Sequence, residues 1–199
     1  MSTKGVYGFR VGNTDKLALA SAAADPNFLG KRVLNYIAIH NFNFLLNQAR
    51  ELRLVEDTNL EENPLTPLEQ IFKLGIVDNS EFIRETGCEW AYVINVDSRK
   101  LEVHRGSPLK NYAPKGRYLL SSNPPHYTGA VLVEEIPLEI IRPESVDYLI
   151  KTLIVANDNL YQIHLIIEAN QRCKKLEEEL EGHRKPFRIL SIFKRKNKS

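Results

Sequence analysis

The stretch CEWAYVINVDSRKLEVHRG, residues 88–106, decides the fold class of this chain. Its first half places apolar side chains at every second position, which is the period of a β-strand with one face in a core: Trp90, Tyr92, Ile94 and Val96. DSRK then forms a turn, and a second alternating run returns through Leu101 and Val103. The stretch therefore predicts a β-hairpin.

A second hairpin is predicted at the amino end. GVYGFRV, residues 5–11, alternates apolar residues with Gly and Arg, and KLALAS, residues 16–21, alternates more weakly. Gly12 and Asn13 between them tolerate positive φ and suit a tight turn. A further strand is predicted in GAVLVEEI, residues 129–136.

Helical segments separate the two hairpins. Residues 26–56 carry apolar side chains at helical spacing and predict one or two helices, with Asp25 as a cap and Pro26 in the first turn. A short helix is predicted after them, capped by Thr66 and stopped by Gly75. Hairpins combined with helices indicate an α+β protein.

The carboxyl-terminal part changes to a helical pattern from Pro143 to about Glu181. Its apolar stripe is broad, ANDN at 156–159 suggests a kink or break, and Gly182 marks its end. Between Leu160 and Leu180 the spacing is similar to a coiled-coil seam that Asn170 interrupts. Two interpretations stay open, which are packing on the protein's own domain and self-association through residues 144–181.

Composition divides the chain into three parts. We expect an α+β core over residues 1–143, a long amphipathic helix over 144–182 and a basic tail over 183–199. The formal net charge is +2, but the tail holds seven of the 27 basic residues and no acid. Residues 1–182 thus carry 20 basic and 25 acidic residues, a net charge of −5.

The basic tail is the segment most typical of an interaction surface. Apolar residues interleave with its charges, of which we single out Lys185, Arg188, Lys194, Arg195 and Lys196. It could be a solubilising terminus, dock on a partner or on its own domain, or bind an anionic membrane or nucleic acid through residues 184–198. Binding of nucleic acid would need a wider basic face than a body of charge −5 offers.

Other classes of function have little support in the sequence. No apolar run approaches the roughly 20 residues of a membrane span, so no integral membrane segment is expected. Cys88 and Cys173 are isolated, which indicates a reducing, cytoplasmic location and no disulfide framework. The five histidines lack metal-ligand spacing, and we expect neither a metal nor a cofactor. Cys88 is expected in the core, although a pair with His104 across the hairpin is conceivable.

The stretch LALASAAADP, residues 17–26, is unusual because it places five alanines where a strand ends and a helix begins. One explanation is a tight packing surface, on which methyl groups let two elements approach closely. Another is a site whose polar side chains are missing, and the two explanations are compatible.

Two resemblances bear on this stretch. STKGVYGFRVGNTDKLALASAAADPNFLG and the hairpin of residues 89–106 resemble a group of poorly characterised bacterial and phage proteins that begin with a Gly/Ser-Thr-Arg-Gly element. More distantly, the layout resembles the opening of N-terminal-nucleophile (Ntn) hydrolases of the choloylglycine-hydrolase type. That resemblance implies layered sheets flanked by helices and hydrolysis of an amide bond.

Carried over by residue, the resemblance places Ser2 at the nucleophile and Thr3 beside it. In such enzymes the α-amine of the nucleophile, exposed by removal of Met1, takes the side-chain proton. Ala20 and Ala23 stand where the family has its Asn and Asp, and Asp25 lies two residues away from the lost acid.

The sequence therefore predicts a degenerate, non-catalytic Ntn-hydrolase-like protein that acts through binding or assembly. The alternatives are an amidohydrolase that uses Ser2, with Thr3 and Asp25 in support, and a membrane or nucleic-acid adaptor that works through the basic tail.

Overall fold

The computed structural model describes the backbone of residues 3–56, 66–85, 87–106, 117–118, 120–123 and 126–196. Side chains are not described at 120–123, 126–128, 164 and 182–196. The described residues form a mixed α+β protein, which confirms the predicted class. The chain divides into two compact units, residues 1–160 and residues 161–199.

A five-stranded sheet organises the first unit. Both predicted hairpins are present, and a fifth strand joins the second hairpin at the edge of the sheet. The order is β2-β1-β3-β4-β7, with β1 at Gly5–Val11, β2 at Thr14–Ala20, β3 at Trp90–Asn95, β4 at Lys100–Gly106 and β7 at Ala130–Pro137. Strands β1 and β3 are parallel and the other neighbours are antiparallel. A separate ribbon pairs β5, Leu120–Asn123, with β6, His126–Thr128.

Both faces of the sheet are buried. The first face carries alternate residues of each strand, among them Phe9, Tyr92 and Leu101, and packs on the helices. The opposite face carries the intervening residues, such as Val6 and Val93, and packs on Ile83 of the 3-10 helix Ser80–Arg84. On a strand buried on both sides, a polar side chain costs free energy unless it finds a hydrogen-bond partner. This constraint makes the polar residues of the second face informative.

Three helices pack on the first face. They are α1 at Lys31–Ile39, α2 at Phe42–Glu51 and α3 at Leu68–Leu74. Lys16 of β2 caps the carboxyl end of α2. Its Nζ atom donates to three carbonyl oxygens at 2.9–3.2 Å, those of Ala49, Arg50 and Leu52. The predicted Thr66 cap is wrong, because Pro67 precedes the first residue of α3 and no side chain caps it.

Helix α4 is longer than the sequence pattern predicts. It runs from Val146 to Lys196, so it neither breaks at 156–159 nor ends at Gly182, and its backbone continues through Pro186. Its first turns pack on the core through Val146, Leu149, Ile150 and Leu153. No helix in the described part of the chain has both the length and the apolar content that crossing a bilayer requires.

Candidate functional site

Thr3 lies against the alanine stretch. The backbone N–H of Ala24 donates to the hydroxyl oxygen of Thr3 at 2.9 Å and to its carbonyl oxygen at 3.2 Å. Ser2, the expected nucleophile, lies outside the described residues. Thr3 thus contacts Ala24, the residue that precedes Asp25. The role of Ser2 stays a prediction.

The carboxylate of Asp25 caps a short helical turn. It accepts a hydrogen bond of 3.0 Å from the backbone N–H of Asn27, at the start of the π-helical turn Pro26–Gly30. This is the capping role that the sequence predicts, with Pro26 in the first turn. The cap fixes the position of the Asp25 carboxylate at the start of this turn.

Ala24 occupies a tightly packed position. Its side chain is fully buried, and a Cβ atom built on Gly5 would lie 2.8 Å from the Ala24 Cβ and 2.2 Å from the carbonyl oxygen of Trp90. The beginning of β1 therefore needs glycine at position 5 and a small residue at position 24. Ser21 and Ala22 are exposed, whereas Ala18 is buried in the core and Ala20 packs against it. Close packing therefore accounts for both ends of the alanine stretch but not for its middle.

A row of polar side chains crosses the second face of the sheet. It was not predicted from the sequence. Asp15 and Asn95 both stand opposite Arg10, on its two neighbouring strands. Glu102 and His104 follow on β4, and only 3% and 1% of their surfaces are exposed. One sequence feature could have indicated this row: Glu102 and His104 occupy alternate positions of a predicted strand, which places both on one face of the sheet.

Glu102 is the centre of this row. Its Oε1 atom accepts hydrogen bonds of 2.7 Å from Asn95 Nδ2 and from the Arg117 guanidinium. Burial alone would raise the pKa of Glu102, but the hydrogen bonds from His104, Arg117 and Asn95 outweigh it and lower the pKa to about 2. Glu102 is therefore ionised at neutral pH.

His104 lies beside this carboxylate, with its Nε2 atom 3.4 Å from Glu102 Oε2. Burial lowers its pKa, although the neighbouring carboxylate offsets part of the effect. Its Nδ1 atom is buried and has no hydrogen-bond partner in the structure as described. The ring of Tyr118 packs edge-on against the imidazole, with the centroids 4.9 Å apart.

A second ion pair extends the row. Arg10 Nη1 donates to both carboxylate oxygens of Asp15, at 3.0 and 3.1 Å, and Arg117 Nη2 lies 3.9 Å from Asp15. Arg117 thus connects two carboxylates of the sheet with the hydroxyl of Tyr118, to which it donates at 2.9 Å. The network fixes Arg117 and Tyr118 against the second face. Because the oxygens of Glu102 already accept from protein donors, this carboxylate is not free to act as a base.

Cys88 is a core residue, as predicted. It is fully buried, its Sγ atom donates to the carbonyl oxygen of Trp90 at 3.4 Å, and burial raises the pKa of the thiol to about 12. The conceivable pair with His104 is wrong, because the sulfur bonds to the backbone and the strand register places His104 opposite Ala91. A thiol with so high a pKa is a poor nucleophile at neutral pH.

Among the described residues, no cluster of three or more His, Cys, Asp or Glu side chains has the arrangement of a metal site. The polar row does not form one, because the carboxylates of Asp15 and Glu102 pair with arginines.

The exposed part of α4 is the second candidate site. Six large apolar side chains between residues 161 and 181 are 40–60% exposed: Tyr161, Ile163, Leu165, Ile166, Leu176 and Leu180. Cys173 lies among them and is also exposed. The side chains of Lys185, Arg188, Lys194, Arg195 and Lys196 lie outside the described residues, so the interaction predicted for them stays a prediction.

Comparison of the chain with protein-family models, with curated proteins and with solved structures yields no match.

Proposed function

We propose that this chain is a non-catalytic protein with an Ntn-hydrolase-like core, which acts by self-assembly through the exposed part of helix α4. The observation that carries this proposal is the concentration of large, exposed apolar side chains between residues 161 and 181. Large apolar patches on a protein surface commonly mark interaction sites.

The amino end supports the non-catalytic half of the proposal. Ala20 and Ala23 carry only methyl groups where the resemblance expects an amide and a carboxylate. Asp25, the nearest acid, is engaged in capping a helical turn. An oxyanion needs donors aimed at the charge that develops during the reaction. The alanine side chains supply none.

The course of α4 supports the assembly half. The residues after Leu160 form a compact unit of their own. Six large apolar side chains of this unit are 40–60% exposed, and tertiary contacts along an apolar face supply most of the stability of helices in proteins. A second helix laid along the exposed apolar residues would provide that contact.

Sedimentation velocity of the full chain tests the proposal. We expect the wild type to sediment above its monomer mass of 22.8 kDa as concentration rises, and Ile166→Glu to remain monomeric. Ile39→Glu is the matched control, since Ile39 is 65% exposed on helix α1 and Ile166 is 60% exposed on α4. The control should associate like the wild type. A monomeric wild type at all concentrations would overturn the proposal.

A further inference from the structure

We propose that the partner of the exposed part of α4 is a second copy of this chain, aligned in parallel and in register as a two-stranded coiled coil. This inference rests on the proposed function and names its partner and geometry. It is carried by the spacing of exposed small and apolar residues, which we call the seam, and by the charges beside the seam.

The seam follows a heptad spacing. Its described members recur at intervals of three and four residues and are all exposed: Ile166, Ala169, Cys173, Leu176 and Leu180. In the sequence the same spacing continues at His183, Phe187 and Leu190, and the backbone is helical over all three positions. The helical pattern was expected to end at Gly182, so the part of the repeat beyond that residue was not predicted. Such a repeat keeps one stripe facing a partner helix along its whole length.

Two of the five described seam residues match the pattern of a parallel pair. In heptad terms Ile166 occupies an a position and Leu176 a d position, and a β-branched residue at a with Leu at d favours two parallel strands. Asn170 interrupts the apolar spacing that the sequence shows between Leu160 and Leu180. In this heptad assignment Asn170 lies beside the seam and is not a member of it.

Charges beside the seam complement those of a second copy. Residues five apart at the g and e positions face each other across a parallel coiled coil. Arg172 lies at g and Glu177 at e, so Arg172 of each copy faces Glu177 of the other. Glu179 and Arg184 have the same spacing in the sequence. The Arg172 side chain is 80% exposed, and within its own helix its Nη2 atom lies 3.9 Å from Glu168 Oε2. A contact of that length on an exposed side chain is weak, so Arg172 can also pair with a partner helix.

Cys173 provides a direct test of this alignment. In a parallel pair in register, the two Cys173 side chains lie opposite each other, and mild oxidation should link two full chains through a disulfide. Cys173→Ser should lose the linked dimer completely. Ile166→Glu keeps Cys173 but should not associate, so it measures the linkage that arises from random collision.

Reversal of the flanking charges tests the same alignment independently. Arg172→Glu and Glu177→Arg each replace an attraction by a repulsion in both of the 172–177 contacts between the two copies. Each variant should weaken association by about tenfold. The double variant should restore it. Residues 172 and 177 are not neighbours on one helix, because helical neighbours are three or four apart. Restoration would therefore report a contact between copies.

The outcomes separate this inference from the proposed function. If the chain associates but Cys173 does not link and the double variant does not recover, the parallel alignment is wrong and self-assembly stands. If the wild type sediments at 22.8 kDa throughout, self-assembly itself is wrong.

Discussion

The Glu102 carboxylate and the His104 imidazole, two residues apart on β4, lie side by side within the same buried face of the sheet. A charged and a neutral titratable group are thus held together where water is excluded. Arg117 completes the arrangement from outside the sheet. The network has consequences for stability that can be measured.

We expect Glu102→Gln to lower the free energy of unfolding by about 2 kcal/mol, because a neutral amide replaces the buried carboxylate that accepts charge-assisted hydrogen bonds from Asn95 and Arg117. Glu135→Gln is the matched control, since Glu135 pairs with Lys100 on the exposed surface and its loss should cost less than about 1 kcal/mol. Urea denaturation of both variants checks this prediction. Equal losses in the two variants would show that the buried network is not stabilising.

Stability should also fall as the pH is lowered. The folded state lowers the pKa of His104 below its unfolded value near 6.5, so the unfolded chain binds this proton first. The stabilisation is present above pH 6.5 and is lost as the pH falls below it. Glu102 acts in the same sense at lower pH, between its unfolded value near 4.5 and about 2.

The variant His104→Leu should lose the fall in stability that protonation of His104 causes below pH 6.5. Measurement of the unfolding free energy from pH 8 to pH 5 should give a flatter curve for this variant than for the wild type. The groups that face His104 are Glu102, Arg117, Asp15 and Tyr118, and all of them remain in the variant. An unchanged slope in His104→Leu would contradict the assignment.

Gly5→Ala should destabilise the protein by about 2 kcal/mol, because the added methyl group would collide with the Trp90 carbonyl oxygen and the Ala24 side chain. Gly87→Ala is a suitable comparison, since its Cβ would meet only the Phe82 ring at 3.4 Å. Thermal denaturation distinguishes them. Were Gly5→Ala as stable as the wild type, the close approach of β1 to the alanine stretch would be wrong.

The amino end should show no hydrolytic activity that depends on Ser2. We expect the wild type and Ser2→Ala to cleave a panel of amide substrates at the same background rate, because the alanines provide neither the amide nor the carboxylate of an Ntn site. Intact mass should show in addition whether Met1 is retained. Cleavage by a chain that lacks Met1, abolished by Ser2→Ala, would make the protein an enzyme.

Local patterns predicted much of the first unit. The turn at Gly12 and Asn13 adopts φ values of 57° and 65°, and the helical stretch divides at Asn41, whose side chain caps α2. These features depend on neighbours in the sequence. The polar row could not be predicted in the same way, because the contacts of Glu102 come from Asn95 on β3 and from Arg117.

The end of α4 was mispredicted for a related reason. Gly182 and Pro186 are strong local signals for the end of a helix, yet the helix continues through both. An intrinsic preference of one residue can be outweighed by the flanking residues of a long helix. The mistaken end also concealed the heptad spacing that crosses Gly182.

Hydrogen exchange of the backbone amides of residues 166–181, measured over a range of protein concentrations, tests the central claim most directly. A helix paired with a second copy should gain protection as concentration rises, while the amides of α1, residues 31–39, should stay unchanged. Rapid exchange over 166–181 at every concentration would show that this helix has no partner in a second copy, and would contradict the account.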